Sequence, residues 1–418
     1  MVLRGKPFYL TTEEETWVYE CLAAMDERTK TGQLFCVMGG DYTIDELKQL
    51  VREEGIGAVL FRPCSKSELI EKYAAIDAAA KVPLLHAANL EEGGAGGISD
   101  GTYFANQLGV AAADDEVCTR HFAEVCAAEG LGCGINWTFS PVVDIDMNFR
   151  NPGLITTDAT IMGGYCQAME RRRAIPTSIA AGCDMLIFST DIREDLAYMR
   201  QGLESGILSR ERLDEAVTRV LALKARTLRS KHIPEVSAQE WQRDCAEKAV
   251  TLVKDTQKLV PARSFSSVRL VVVGDEKLAG GEEIARVASE RLGALGLAVE
   301  VYDPIRDELH GSAQLPSDRL TLVIVNCPTA SNQTTVRINW SRKHALDDPR
   351  FINEEKTAMI SLANPYHLQD APRVRTYINA YTPVAPALTA AIDLLFGLQE
   401  ARGKSPVDAF CGLPDTHF

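Results

Sequence analysis

Three places in the chain set acids or amides directly after apolar runs: Asn89-Leu90-Glu91-Glu92, Asp144-Ile145-Asp146, and Thr156-Thr157-Asp158. The runs before them, Val82 to Ala88, Ile135 to Val143 and Gly153 to Ile155, read as strands. A carboxylate at the C-terminal end of a parallel strand stands where α/β folds collect their chemistry. Held there and ionised, it can act as a nucleophile. The plainer alternative at each position is an Asx turn or a helix cap, for which Asp and Asn are common. Three such ends in successive strand-like runs favour one shared site, because acids beside buried strands are costly without a partner.

The elements that must position these residues alternate. Thr11 to Met25 and Ile44 to Glu54 read as helices, Gly57 to Phe61 as a strand, and Ser67 to Ala79 as a helix. A glycine-rich loop follows Glu92, then a helix from Asp114 to Gly130. After Asp158 come a helix from Gly164 to Glu170, a strand from Cys183 to Phe188, and helices Leu196 to Ser205 and Ser209 to Thr227, the last opened by a cap at Ser209. Strand and helix in alternation, with polar loops after the strands, point to a parallel α/β fold, most simply a (β/α)8-type barrel over residues 1–227. Residues 228–250 form a linker and entry helix, the helix running from Glu240 to Val253. Strands at Val268 to Val273, Ala298 to Tyr302, Leu320 to Asn326 and Thr357 to Asn364, with helices at Glu282 to Leu295 and Tyr381 to Leu398, make a doubly wound α/β sandwich domain of 251–418.

One interval does not fit. Only Ile145 to Pro152 separate the strand ending at Asp144 from the run beginning at Gly153, whereas a parallel crossover needs about a dozen or more residues. Either the two strands are not parallel neighbours, or a segment that belongs between Pro152 and Gly153 is missing.

With 418 residues and 46% apolar side chains, the chain is long enough for two domains with sizeable cores. Its net charge of −14 disfavours nucleic acid and anionic membranes as partners. No stretch has the apolar length of a membrane span, and the polar Met1 to Thr16 does not read as a signal peptide. Eleven cysteines show no C-x-x-C pair or metal spacing, so a reducing cytoplasm is expected and no metal or organic cofactor. Gly274, Gly280 and Gly281 follow a strand but do not make G-x-G-x-x-G, and two acids beside them disfavour phosphate. Among the histidines, His86 is mid-strand and reads as a core residue; His310 and His344 fall in loops, and His367 follows a strand.

Together these stretches resemble glycoside hydrolase family 3, in its β-N-acetylglucosaminidase branch. The resemblance is carried by Gly57 to Phe61, Asn89 to Gly94, Asn136 to Asp144, Asn148 to Pro152, Thr157-Asp158-Ala159 through Met162, and Ala181 to Met185. It implies a barrel followed by a sandwich domain, and retaining hydrolysis of terminal β-linked N-acetylglucosamine. Asp158 is then the nucleophile, with Asn89, Glu91, Asp144, Arg150 and Met162 as substrate-binding residues. A retaining enzyme needs an anion on one side of the anomeric carbon and a proton donor above the leaving oxygen. By resemblance that donor is a loop His-Asp dyad between the Asn-Pro motif and the Thr-Asp-Ala strand, and this sequence has none there. The family's Asp two places before the Glu of Glu-Gly-Gly is Leu90 here, leaving Asn89 or Glu91 for its role. Asp144 either binds sugar hydroxyls or caps a turn. A β-glucosidase of the same family and a non-catalytic sugar-binding protein remain alternatives. The expected partner is a small oligosaccharide or glycoside; the oligomeric state is open, a homodimer included.

Overall fold

The computed structural model describes residues 3–142, 153–229, 232–274, 281–302, 318–328, 337–338, 340, 352, 354 and 356–418. Two compact units divide the chain, Met1–Gly101 with Cys126–Glu235, and Thr102–Val125 with Val236–Phe418.

Local signals explain the helices of the first unit. After α1 (Thr12–Ala24) and α2 (Glu27–Gly32) comes β1 (Phe35–Met38), then α3 (Ile44–Glu54). Thr43 and Glu46 cap α3 reciprocally, and Gly55 ends it in the left-handed region at φ 68°. Next are β2 (Ala58–Leu60), α4 (Lys66–Asp77), β3 (Leu85–Ala88), α5 (Gln107–Ala112), α6 (Glu116–Gly132) and β4 (Trp137–Thr138). Beyond the interval around Pro152 lie β5 (Thr156–Ala159), α7 (Gly163–Ala168), α8 (Arg171–Ala180), β6 (Met185–Ile187), α9 (Ile192–Glu204) and α10 (Arg210–Thr227). Ser209 caps α10 by accepting from Arg212 N.

The six strands form one parallel sheet in the order β4-β3-β2-β1-β6-β5. Residues with period-two spacing, Cys36, Ala58, Leu60, Leu85, Ala87, Met185 and Ile187, pack into one apolar cluster, joined by Val220 of α10. The order corrects the expected eight-stranded barrel. Strand β1 pairs with both β2 and β6, so the first strand meets the last as in a barrel. Among the described residues the ring stays open between β4 and β5. The cause is the short interval noted above: the chain from Phe139 to Ile155 cannot hold crossover helices. The strands on either side of the opening are also shorter or shifted relative to expectation. Only Trp137–Thr138 of the run from Ile135 pairs, and β5 begins at Thr156, after the Gly153–Ile155 run rather than in it.

In the second unit, α11 (Ala238–Ala249) leads into β7 (Thr251–Asp255). The helix expected to Val253 therefore stops early, because Leu252 and its neighbours pair antiparallel with a strand far along the chain. The remaining elements are β8 (Ser267–Gly274), α12 (Gly281–Ala294), β9 (Ala298–Tyr302), β10 (Arg319–Asn326), β11 (Thr357–Ser361), β12 (Thr376–Asn379) and α13 (Ala385–Leu395). The sheet order is β7-β12-β11-β10-β8-β9, with β8 to β12 parallel in a doubly wound arrangement. Both faces are covered: Leu270, Leu322 and Ile360 pack under α12 and α13, while Val271, Val323 and Met359 pack with Leu368 and Trp340.

Candidate active site

Strand β5 is held from both ends by buried charge. At its start, Ile155 N donates to Asp184 Oδ2 at 3.0 Å. Asp184 itself is fully buried, and Arg212 reaches its other oxygen at 2.7 Å. Arg219, 3.7 Å from the same carboxylate, also donates to Gly153 O at 2.9 Å. At its far end, Thr160 N donates to Ile187 O at 2.9 Å, and Arg171 bridges Thr160 O to the buried Asp195. Between these anchors the ladder slips. Thr156 pairs with Met185 and Ala159 with Ile187, so three steps on β5 oppose two on β6. The extra residue makes a bulge at Thr157-Asp158, and Thr157 Oγ1 accepts from Ile187 N at 3.1 Å in place of a backbone oxygen. Bulges re-aim side chains beside active sites, and this one presents Asp158 at the strand end.

Asp158 lines a cavity of about 660 Å³ together with Asn89, Glu91, Trp137, Thr138, Phe139 and Phe188. That volume lies within the range of small-molecule sites. Three of the residues singled out in the sequence, Asn89, Glu91 and Asp158, thus meet in one hollow. Leu90 turns the other way and is buried against α6, where Cys126 Sγ donates to its carbonyl at 3.4 Å. Alternation then gives both its neighbours to the cavity, so Asn89 and Glu91 share the place of the family's aspartate. The loop behind them needs glycine at Gly96: a Cβ there would sit 1.8 Å from Asn89 O.

Asp158 is exposed, and its Oδ1 accepts from Ala159 N at 2.6 Å. Burial, with Glu92 next to it, raises the Glu91 carboxyl above its usual range. These are the two ionisable groups among the described lining residues. The apolar wall is aromatic: the Trp137 and Phe139 rings meet edge-on at 4.7 Å, and Phe139 meets Phe188 at 6.4 Å. Leu223 of α10 closes the far side. Trp137 and Phe139 were not among the residues proposed from the sequence, although their period-two spacing on a strand was the available signal.

The other candidates separate. Met162 is the N-cap of α7, 51% exposed, and does not line the cavity. Asp144, Arg150 and the Asn148 to Pro152 motif lie outside the described residues. His86 is a core residue: it stacks on Tyr73 at 3.8 Å, and its ring nitrogens contact Asp77 and Gly134 O at 3.0 Å each. His367 is fully buried beside Asp370, with burial lowering its imidazole to about 4. Among the described residues no group of three or more His, Cys, Asp or Glu side chains is arranged to hold a metal ion.

A parallel α/β sheet with a strand-end carboxylate facing an aromatic-walled hollow defines a glycoside-processing class of site, and the comparisons agree. Residues 27–152 and 146–223 match the glycosyl hydrolase family 3 N-terminal domain, and the chain belongs to that family. Among its relatives, a Cellulomonas fimi protein named beta-N-acetylglucosaminidase/beta-glucosidase is 29% identical over 567 aligned positions covering all of both chains. The solved structure of a beta-glucoside phosphorylase, BglX, is 30% identical, covers 99% of each chain and superposes with a TM-score of 0.87. A family 3 beta-N-acetylglucosaminidase from Paenibacillus sp. str. FPU-7 shares the fold at 16% identity and a TM-score of 0.72, covering 92% of this chain and 99% of its own.

Proposed function

We propose that the protein cleaves terminal β-linked N-acetylglucosamine from small glycosides with retention, Asp158 attacking the anomeric carbon. The observation that carries this reading is the bulge that delivers the Asp158 carboxylate into the hollow shared with Asn89, Glu91 and Trp137. In the first step a carboxylate oxygen forms an ester to the sugar while the aglycone leaves; in the second an acceptor displaces the carboxylate from the opposite face. Asn89 and Glu91 suit sugar hydroxyls, and the Trp137 ring suits the apolar face of a pyranose. The same reading places the protein in the cytoplasm, where its eleven cysteines, all unpaired, stay reduced.

A second reading concerns sugar and acceptor. The full-length similarity to a beta-glucoside phosphorylase, and the double name of the Cellulomonas fimi relative, favour β-glucosides as additional substrates and phosphate as an acceptor besides water. Aryl β-N-acetylglucosaminide and aryl β-glucoside, each assayed with and without inorganic phosphate, separate these readings. A sugar 1-phosphate product identifies phosphorolysis, and free sugar alone identifies hydrolysis. Release that persists in Asp158→Asn removes the carboxylate from the mechanism and ends the proposal.

A further inference from the structure

The sheet of the first unit has the neighbour order of a barrel opened at one place. Strands β1 to β4 follow one another, and β6 and β5 return to β1 from the other side. An eight-stranded ring with this order would have two further strands between β4 and β5. At roughly 250 residues per eight units, two βα units need about 60 residues. The chain offers Phe139 to Ile155. The family match breaks in the same interval, its two pieces meeting at residues 146–152, and the Cellulomonas fimi alignment runs over 567 positions against 418 residues here.

The edges of the opening look like an uncovered interior. Strands β1, β2, β3 and β6 are buried along almost their whole length, while β4 and β5 are partly exposed. Helix α7, which follows a strand and would normally bury an apolar stripe, buries no side chain. Val142 just past β4, Ile161 and Met162 just past β5, and Met169 past α7 are 49%, 52%, 51% and 39% exposed. Apolar groups gathered on one surface mark an interface. A parallel sheet, moreover, normally has covered faces.

We propose that the opening between β4 and β5 is a docking surface for a separate polypeptide of two βα units, which adds a parallel strand to each free edge and completes the site around Asp158. Main-chain hydrogen bonds to the two edges supply the attachment, and the partner's apolar side chains cover Val142, Ile161 and Met169. A second copy of this chain is the weaker occupant, since it brings the same opening and no strands to fill it. The completing role rests on the reading of Asp158 given above: the partner brings the proton donor for the leaving oxygen.

The test is co-expression of the tagged chain with the stretch of the Cellulomonas fimi relative lying between its counterparts of Pro152 and Gly153. The expected result is a one-to-one complex by native mass spectrometry, loss of the apolar-dye fluorescence shown by the chain alone, and a gain in aryl glycoside turnover of about 10²–10⁴-fold. Ile161→Asp with Met169→Asp, folded by circular dichroism, should lose the partner. Failure of the folded parent chain to retain the stretch overturns the proposal. So does a homodimer whose hydrogen-exchange protection maps to Ile161 and Met169, or full turnover by the chain alone. In the complex, Asp158→Asn should abolish turnover and leave assembly intact; turnover that survives refutes Asp158 as nucleophile and spares the docking surface.

Discussion

Lys224 carries the most perturbed amine of the first unit, and replacing it should raise stability at neutral pH. It lies fully buried in α10, and its Nζ donates to Gln33 Oε1 at 2.6 Å. Burial pulls the ammonium from 10.5 down to about 7, opposed by Cys21 and Asp77. Between these two values the unfolded chain binds a proton that the folded chain does not, so stability rises with pH across that window. Below the folded value both states are protonated and the penalty is fully present; above 10.5 it has gone. At 1.36 kcal/mol per pH unit the window is worth about 5 kcal/mol. Lys224→Met keeps the side-chain length and removes the titration, at the cost of an unpaired Gln33 Oε1, about 1–3 kcal/mol. The variant should therefore exceed the parent by about 2–4 kcal/mol near pH 7 and match it or fall below it near pH 10. Urea denaturation of both proteins at several pH values between these limits measures the difference. Parallel pH dependences would refute the reasoning, because the amine would then titrate alike in both states. The helix matters to the site as well: Leu223, next in the chain, lines the cavity opposite Asp158.

Three further outcomes follow from the site. Asp158→Asn should lower turnover by roughly 10⁴-fold or more, as loss of a nucleophile does, and leave the melting temperature unchanged, since the side chain is exposed. Glu91→Gln should raise KM more than it lowers kcat if Glu91 holds a sugar hydroxyl; an equal fall in kcat and kcat/KM would instead assign it a role in the transition state. Asp184→Asn leaves Arg212 and Arg219 buried beside a neutral amide and should destabilise by about 3–5 kcal/mol in the same urea assay. It should also depress activity, because the carboxylate that receives Ile155 N at 3.0 Å positions the start of β5.

The legibility of the fold tracks how local each cause is. Helices α3 and α10 could be bounded from the sequence because Thr43, Glu46, Gly55 and Ser209 act within one turn of the ends they set. Strand β7 could not, since its partner β12 lies more than a hundred residues away, and the local pattern continues the helix of α11. Strand β4 was over-read for the same reason: its apolar run extends to Val143, but a strand is only as long as its neighbour allows, and one side has none among the described residues. At the site, Asp158 was visible as an acid ending a strand, while the bulge that aims it depends on register against β6 and leaves no trace in composition. Leu90 shows the same limit, since only the packing of its side chain on α6 assigns Asn89 and Glu91 to the cavity.

The opening in the sheet belongs to a different kind of inference. Propensity is a weak preference that tertiary contacts override, whereas the span of a chain is fixed by bond lengths. The few residues between Asp144 and Gly153 exclude a crossover whatever their identity, and the sheet breaks at that interval and nowhere else in its described order. The open edge follows from this covalent constraint, and the exposed Ile161, Met162 and Met169 follow from the open edge. Restoring about 60 residues of βα structure at that point should therefore bury these three side chains together, and hydrogen exchange across 156–169 measures it. Protection confined to β5, with α7 exchanging as before, would mean that α7 is an exposed helix in its own right and that the opening is not its cause.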